Sequence, residues 1–242
     1  MNNEGELKNN IQGEISYNLD AGALIGQIED LNLDKRTEWL DICDRLRDEL
    51  NDEDCTDPVN GIVDHIAKNS ACIYVCDVGN NEFWFSRAYE KARCKDSVLV
   101  SKSFGTLGSS IGKAIGAYYA THKDVVCVVG DQGFQYNIQE LQYIAHNNLP
   151  IRILLVNNNC SRMIADHETG KYGDKLIHVT QKTGYSTPDF KAIAKAYGFE
   201  DRLMVLDVEE NIKLTPTLPK GRECQDMEPP ISRDRYNLLN SL

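Results

Sequence analysis

Within residues 34–54, Trp39, Ile42, Leu46 and Leu50 recur at helical spacing while acidic and basic residues crowd the opposite side. That pattern predicts an amphipathic helix with a solvated outer face. Residues 1–33 contain ISYNLDAGALIGQIEDLN, a short strand-like piece followed by a helical pattern, and a break at Cys55–Pro58 closes off the amphipathic helix. From Thr56 onward the period alternates. A helical stretch (Val59–Ala67) leads to the apolar run Ala71–Cys76. A second run spans Ser97–Val100, and a glycine-spaced helix covers Thr106–Ala120. The runs Val125–Val129 and Ile151–Val156 are separated by a helical segment, Asn137–Asn147. Short unbroken apolar strands alternating with helices predict a mostly parallel sheet covered on both faces, a three-layer α/β/α domain. Phe190, Ile193, Ala194 and Tyr197 fall at i, i+3, i+4 and i+7 and predict a helix that closes at Gly198. The tail from Lys213, with Pro216, Pro219, Pro229 and Pro230, reads as an irregular arm.

Composition narrows the picture. A chain of 242 residues with 41% hydrophobic and 26% charged residues has room for one good-sized globular domain with trimmings. No apolar run is long enough to cross a bilayer, and the N-terminus MNNEGELKNN lacks the basic and apolar segments of a secretory signal, so the expected location is cytoplasmic. The net charge of −11 repels phosphate backbones at long range and argues against nucleic acid as a partner. An anionic ligand then needs a local device, a metal ion or a helix N-terminus. The eight cysteines form no CxxC pair. Cys72, Cys76 and Cys127 lie within strand runs, where cysteine acts as a small hydrophobe rather than as part of a zinc site or disulfide framework. The five histidines show no ligand spacing and are expected on the surface or in loops.

The segment most informative for chemistry runs from Val125 to Met163. A buried strand ends in Gly130-Asp131, and after a helical crossover the strand ILLV ends in Asn157-Asn158-Asn159. Open α/β sheets bind ligands at the C-terminal edge of their strands. If the two strands are neighbours, the Asp131 carboxylate meets the asparagine amides there. One carboxylate with amide and backbone carbonyl oxygens is a hard donor set suited to Mg²⁺. Gly130 and Gly133 would let backbone N–H groups approach an anion closely. Each dipeptide alone is equally a turn after a strand.

Together they carry more, because 24 residues separate Gln132 from Asn157. The stretch GDQGFQYNIQELQYIAHNNLPIRILLVNNN resembles the fingerprint of thiamine diphosphate enzymes, and within them the acetolactate synthase-like members. Asp77-Val78-Gly79-Asn80-Asn81-Glu82-Phe83-Trp84 resembles that family's DVG-x-x-x-x-W element, whose loop approaches the diphosphate. Phe104-Gly105-Thr106-Leu107-Gly108 resembles its GLGTMG. The resemblance implies a diphosphate-binding domain holding thiamine diphosphate and Mg²⁺. It implies Asp131, Asn158 and the Cys160 carbonyl at the metal, and Gly79, Asn80, Asn81, Gly130, Gln132 and Gly133 around the diphosphate. By the same carry-over, the Gly105 backbone meets the aminopyrimidine and Leu107 wedges the cofactor into its V shape, while Ser161 and Met163 lie near the thiazolium and substrate. Residues 184–199 and 214–236 look most like the subset of these enzymes in surface-sugar and nucleotide-sugar pathways. The corresponding organisation is a middle-domain remnant at 1–33, a connecting helix at 34–55, the diphosphate-binding domain at 56–212 and an arm at 213–242.

Four departures qualify the likeness. Gln132 stands where the fingerprint has a small residue. Lys102, Ser103 and Phe104 replace small glycine-rich residues, Gly112 and Lys113 replace a Pro-Ala pair, and only Glu200-Asp201-Arg202 precede the final strand where the family has a further helix. The family's activating glutamate belongs to a pyrimidine-binding domain that no segment here is long enough to form. The expected function is therefore to bind Mg²⁺ and the diphosphate within a decarboxylase or carboligase of small 2-oxo acids, with the pyrimidine domain supplied by another chain or second subunit. The alternative is a truncated, catalytically inactive paralogue or gene fragment that keeps the fold. A nicotinamide dehydrogenase would need GxGxxG directly after a strand, and FGTLGSS does not supply it.

Overall fold

The computed structural model describes residues 22–23, 25–26, 37–53, 57–69, 71–101, 104–173 and 175–209. Apart from four residues, the strand and helix expected within 1–33 lie outside the described residues. So do Cys55, the Lys102–Ser103 pair and the arm from Lys213. Residues 46–242 cluster as one compact unit and residues 1–45 as another. The sheet and the ligand-sized cleft at its edge belong to the larger unit.

The elements are α1 (Thr37–Glu53), α2 (Asp57–Ala67), β1 (Ile73–Cys76), α3 (Asn80–Lys91), β2 (Ser97–Leu99), α4 (Ser110–Thr121), β3 (Val125–Gly130), α5 (Asp131–Tyr136), α6 (Glu140–His146), β4 (Ile151–Asn157), α7 (Arg162–Tyr172), α8 (Phe190–Ala196) and β5 (Leu203–Asp207), with 3₁₀ turns at Gln181–Thr183 and Glu200–Arg202. Every strand pair is parallel and the order is β2-β1-β3-β4-β5. On α1, Trp39, Ile42 and Leu46 are half-buried while the charged residues Glu38, Asp41, Asp44, Arg45, Arg47 and Asp48 are exposed, as the periodicity predicts.

Strand residues point alternately to two cores. Ile73, Val75, Val125, Cys127, Val129, Ile153 and Leu155 pack against α4, α6 and α8. Tyr74, Cys76, Val126, Val128, Leu154 and Val156 pack against α2 and α3. Burial on both faces is why these strands read as continuous apolar runs. Cys127 is one of the packing groups: burial pushes its thiol up to about 12. None of the described cysteines, 43, 72, 76, 94, 127 and 160, is joined in a disulfide. No helix among the described residues is long and apolar enough to cross a membrane.

Two expectations need correction. The helix expected over Asn137–Asn147 is shortened to α6, Glu140–His146, and a separate helix, α5, precedes it from Asp131; Asn137 ends α5 by leaving helical dihedrals (φ −132°, ψ 33°) with its side chain bonded to Gly108. The helix expected from Thr106 starts only at Ser110, because Gly105 and Gly108 have positive φ. Gly112 and Gly116 on this helix face open space, where a Cβ at either would meet nothing within 4 Å. His65 is a further difference. It is buried on α2, with Nδ1 3.3 Å from Met204 Sδ and Nε2 without a partner, rather than exposed. Burial, helped by the Arg152 and Lys68 charges, lowers its pKa to about 4.

A histidine whose folded pKa lies below the unfolded 6.5 contributes stability above that pH, and loses it as pH falls toward 4, where the unfolded chain alone takes up the proton. Urea unfolding should show this loss, on the order of 2 kcal/mol, and His65→Phe should flatten it relative to wild type. Gly112→Ala and Gly116→Ala should each stabilise by about 0.5–1 kcal/mol, because an exposed helix interior with open space favours alanine; a lowered midpoint in either variant would contradict the open surroundings.

Candidate functional site

The chain passes from β1 outward to β2, then crosses back to β3 and continues to β4 and β5. The order therefore reverses between β1 and β3, and their carboxyl ends open the crevice in which α/β sheets hold ligands. Neighbouring register (Gly130↔Val156) brings the ends of β3 and β4 level, so Asp131 and Asn158 emerge side by side.

Asp131 is 3% exposed. Its Oδ1 accepts from the Gln132 N–H at 2.8 Å, and its Oδ2 accepts from the Cys160 N–H at 3.2 Å. The same Cys160 N–H reaches Asn158 Oδ1 at 3.3 Å, so a carboxylate oxygen and an amide oxygen converge on one donor. Burial pushes the Asp131 carboxyl up to about 6, against the N–H donors of Gln132 and Cys160 that favour its charge. Tyr185 packs beside it, and burial together with that carboxylate raises the phenol.

The three consecutive asparagines divide the work. Asn157 Nδ2 donates to Asp207 Oδ1 at 2.7 Å and ties β4 to β5. Asn158 faces the cleft. Asn159 adopts the left-handed turn conformation (φ 51°), and its Oδ1 accepts from Thr187 Oγ1.

The facing wall comes from the start of α3. Gly79, at φ 119°, turns the chain in a conformation only glycine takes without strain, and Asn80 and Asn81 follow in the first turn. Asn81 Nδ2 donates to the Asp77 carbonyl at 2.9 Å. Asn80 is buried, and neither its Nδ2 nor its Oδ1 has a partner. Gly105 and Leu107 form the next side of the cleft; Gln132, Ser161 and Met163 lie along the last, with Ser161 Oγ donating to Gln132 Oε1 at 2.8 Å. The fold thus gathers around one cleft every residue that the sequence singled out: Gly79, Asn80, Asn81, Gly105, Leu107, Gly130, Asp131, Gln132, Gly133, Asn158, Cys160, Ser161 and Met163.

Arg162 and Ile164 also line it and were not singled out, although they flank Met163. Arg162 is held by Asp166 at 2.7 Å. Nor was a role foreseen for Asp77 or Asn137; the only signal for Asp77 was its place at the head of the Val78-Gly79 element. Gly133 also meets a steric demand that the sequence did not disclose. A Cβ there would sit 2.1 Å from Asp77 Oδ2, so glycine is required by a buried carboxylate on β1's end.

The residues fit a magnesium–diphosphate group. Among the described residues no three His, Cys, Asp or Glu side chains cluster as a metal site. What the cleft offers is one carboxylate, one amide oxygen and backbone carbonyls, the hard set that suits Mg²⁺ sharing its shell with phosphate and water. A carboxylate whose charge is disfavoured by burial gains most from a cation, and the unpartnered Asn80 amide at the N-terminus of α3 suits an anion.

Residues 77–226 match the sequence family described as "Thiamine pyrophosphate enzyme, C-terminal TPP binding domain". The acetolactate synthase large subunit of Pyropia yezoensis is 37% identical over 128 residues, which is 52% of this chain and 21% of that protein. The probable acetolactate synthase large subunit of Methanococcus aeolicus is 31% identical over 166 residues, 68% of this chain and 26% of that protein. Isozyme 2 of the large subunit from Escherichia coli K12 is 27% identical over 196 residues, 77% and 34% of the two chains. The chain therefore spans between a fifth and about a third of the length of these relatives. A benzoylformate decarboxylase from Polynucleobacter necessarius shares the fold, with TM-score 0.50 and 16% identity over 64% of this chain and 33% of that one.

Gly133→Ala should cost on the order of 2–3 kcal/mol in urea unfolding, because the added methyl has to displace a buried carboxylate. In an Asp77→Ala background the same change should cost less than about 1 kcal/mol, since the clash is gone. Additive costs would show that something other than Asp77 enforces the glycine.

Proposed function

Because this chain belongs to the thiamine pyrophosphate enzymes, through their C-terminal TPP binding domain, we propose that its cleft holds the Mg²⁺–diphosphate head of thiamine diphosphate within an acetolactate synthase-like decarboxylase or carboligase of 2-oxo acids. The observation that carries this reading is the convergence of Asp131 Oδ2 and Asn158 Oδ1 on the Cys160 N–H. A cation held beside these two oxygens would take both as ligands, with the Cys160 carbonyl as a third. Gly79, Asn80, Asn81, Gly130, Gln132 and Gly133 would surround the diphosphate. Leu107 with Gly105 and Met163 with Ser161 would flank its ring portion. When bound, the cofactor supplies the nucleophile for chemistry at a 2-oxo acid carbonyl. The chain's own part is to fix the head, orient the ring system and exclude water from one side.

The activating glutamate would come from a pyrimidine-binding domain on another chain or subunit, and the open cleft is consistent with half a site. The likeness of residues 184–199 and 214–236 supports placement with the surface-sugar subset. A second, non-catalytic reading is favoured by Gln132, whose amide occupies the cleft hydrogen-bonded to Ser161 where the fingerprint has a small residue.

Calorimetric titration of Mg²⁺–thiamine diphosphate, into the chain alone and mixed with a pyrimidine-domain protein, separates the two. Heat that appears or strengthens in the mixture supports the catalytic reading, and silence in both favours the other. Asp131→Ala should abolish metal-dependent binding while leaving the circular dichroism spectrum intact. Unchanged affinity in that variant rules out Asp131 as the magnesium ligand.

A further inference from the structure

The segment carrying Gly105 and Leu107 is tied at its far end, at Gly108, from both sides of one residue. The Gly108 N–H donates to Asp77 Oδ2 at 2.8 Å, and its carbonyl accepts from Asn137 Nδ2 at 2.5 Å. Asp77 stands at the end of β1 and Asn137 at the end of α5, the two elements that border the crevice. The arrangement leaves no room for side chains around it. Gly108 has φ 81°, and a Cβ there would lie 2.5 Å from Tyr136 Cβ and 3.1 Å from the Gly133 carbonyl; a Cβ on Gly133 would strike the Asp77 carboxylate. Gly133 is thus required by the Asp77 carboxylate, and Gly108 by its positive φ and by Tyr136.

Packing alone does not explain the carboxylate. Asp77 is 1% exposed, and a buried acid is destabilising unless its hydrogen bonds offset the desolvation. Burial raises its pKa, with the Gly108 N–H the foremost group opposing the rise and the Lys113 charge assisting. The segment before Gly108 is otherwise loosely placed among the described residues: Phe104 is 92% exposed, and the Thr106 carbonyl accepts locally from Ser109 Oγ at 2.8 Å.

We propose that Asp77 and Asn137 are positioning residues that clamp the Gly108 peptide and so set the Gly105–Leu107 wall against the ring portion of the bound cofactor. This rests on the reading of the cleft as a thiamine diphosphate site. The diphosphate end is anchored separately, by Asp131 and Asn158 at the ends of β3 and β4, so the clamp bears on one end of the ligand and not on the other.

That separation supplies the test. The full chain as wild type, Asp77→Ala, Asp77→Asn and Asn137→Ala is titrated with Mg²⁺–pyrophosphate and with Mg²⁺–thiamine diphosphate, under the condition in which wild type binds. Asp77→Ala and Asn137→Ala should weaken thiamine diphosphate about tenfold while pyrophosphate stays within about twofold. Asp77→Asn, whose amide oxygen still accepts from Gly108, should recover most of the loss. Amide exchange in a peptide spanning 104–110 should speed up in the two alanine variants and not in Asp77→Asn. Equal weakening of both ligands, or none in either, overturns the clamp as a positioning device, as does unchanged exchange at 104–110. A wild type that binds neither ligand under any condition overturns the cofactor reading itself, and this proposal with it.

Discussion

The molecule depends on one constraint: buried acidic groups at the ends of parallel strands have to be satisfied by backbone N–H donors from neighbouring loops. Asp131 at the end of β3 accepts from Gln132 and Cys160, and Asp77 at the end of β1 accepts from Gly108. Each carboxylate loses hydration on burial and regains part of it from fixed amides. In doing so it pins a loop. The geometry of the cleft is therefore set by the hydrogen bonds that make two buried acids tolerable.

The sheet makes those bonds possible. Parallel pairing of β1 with β3 and of β3 with β4 places three strand ends at one edge, and the helix layers on both faces leave the loops above that edge as the polar exit. The loops then specialise. The β4 loop uses its three asparagines for a tie to β5, a cleft-facing oxygen and a left-handed turn. The β3 loop starts a helix at once, so that Gly133 can pass over the Asp77 carboxylate. Asn137 ends that helix by turning its amide to Gly108.

Membership of the thiamine pyrophosphate family gives this polar edge a chemical meaning. On the proposed reading, the carboxylate of Asp131 and the amide oxygen of Asn158, brought together at the Cys160 N–H, are the two side chains that would hold the cation. Gln132 is the feature that sets this cleft apart, because its side chain fills space and binds Ser161 where the fingerprint calls for a small residue.

Period and spacing alone determined much of this. Unbroken apolar runs at 125–129 and 151–156 specify buried parallel strands because both faces are covered, and the interval from Gln132 to Asn157 matches one crossover between neighbours. Asp131 and Asn158 were legible for the same reason, since they follow strands directly and strand ends are where such sheets place ligands; Gly105, Leu107, Cys160, Ser161 and Met163 were legible only through the resemblance to the thiamine diphosphate enzymes. Other features belonged to the tertiary structure alone. That a separate short helix, Asp131–Tyr136, precedes the one at Glu140–His146 goes with a hydrogen bond from Asn137 to a residue 29 positions earlier. That Gly112 and Gly116 face open space while Gly108 and Gly133 are sterically compelled depends on which distant atom occupies the place of a missing Cβ. His65 and Asp77 were read as surface and loop residues because a titratable side chain does not disclose its own burial. Only the packing of α2 against β5, and of the Gly108 peptide against β1, made them interior groups.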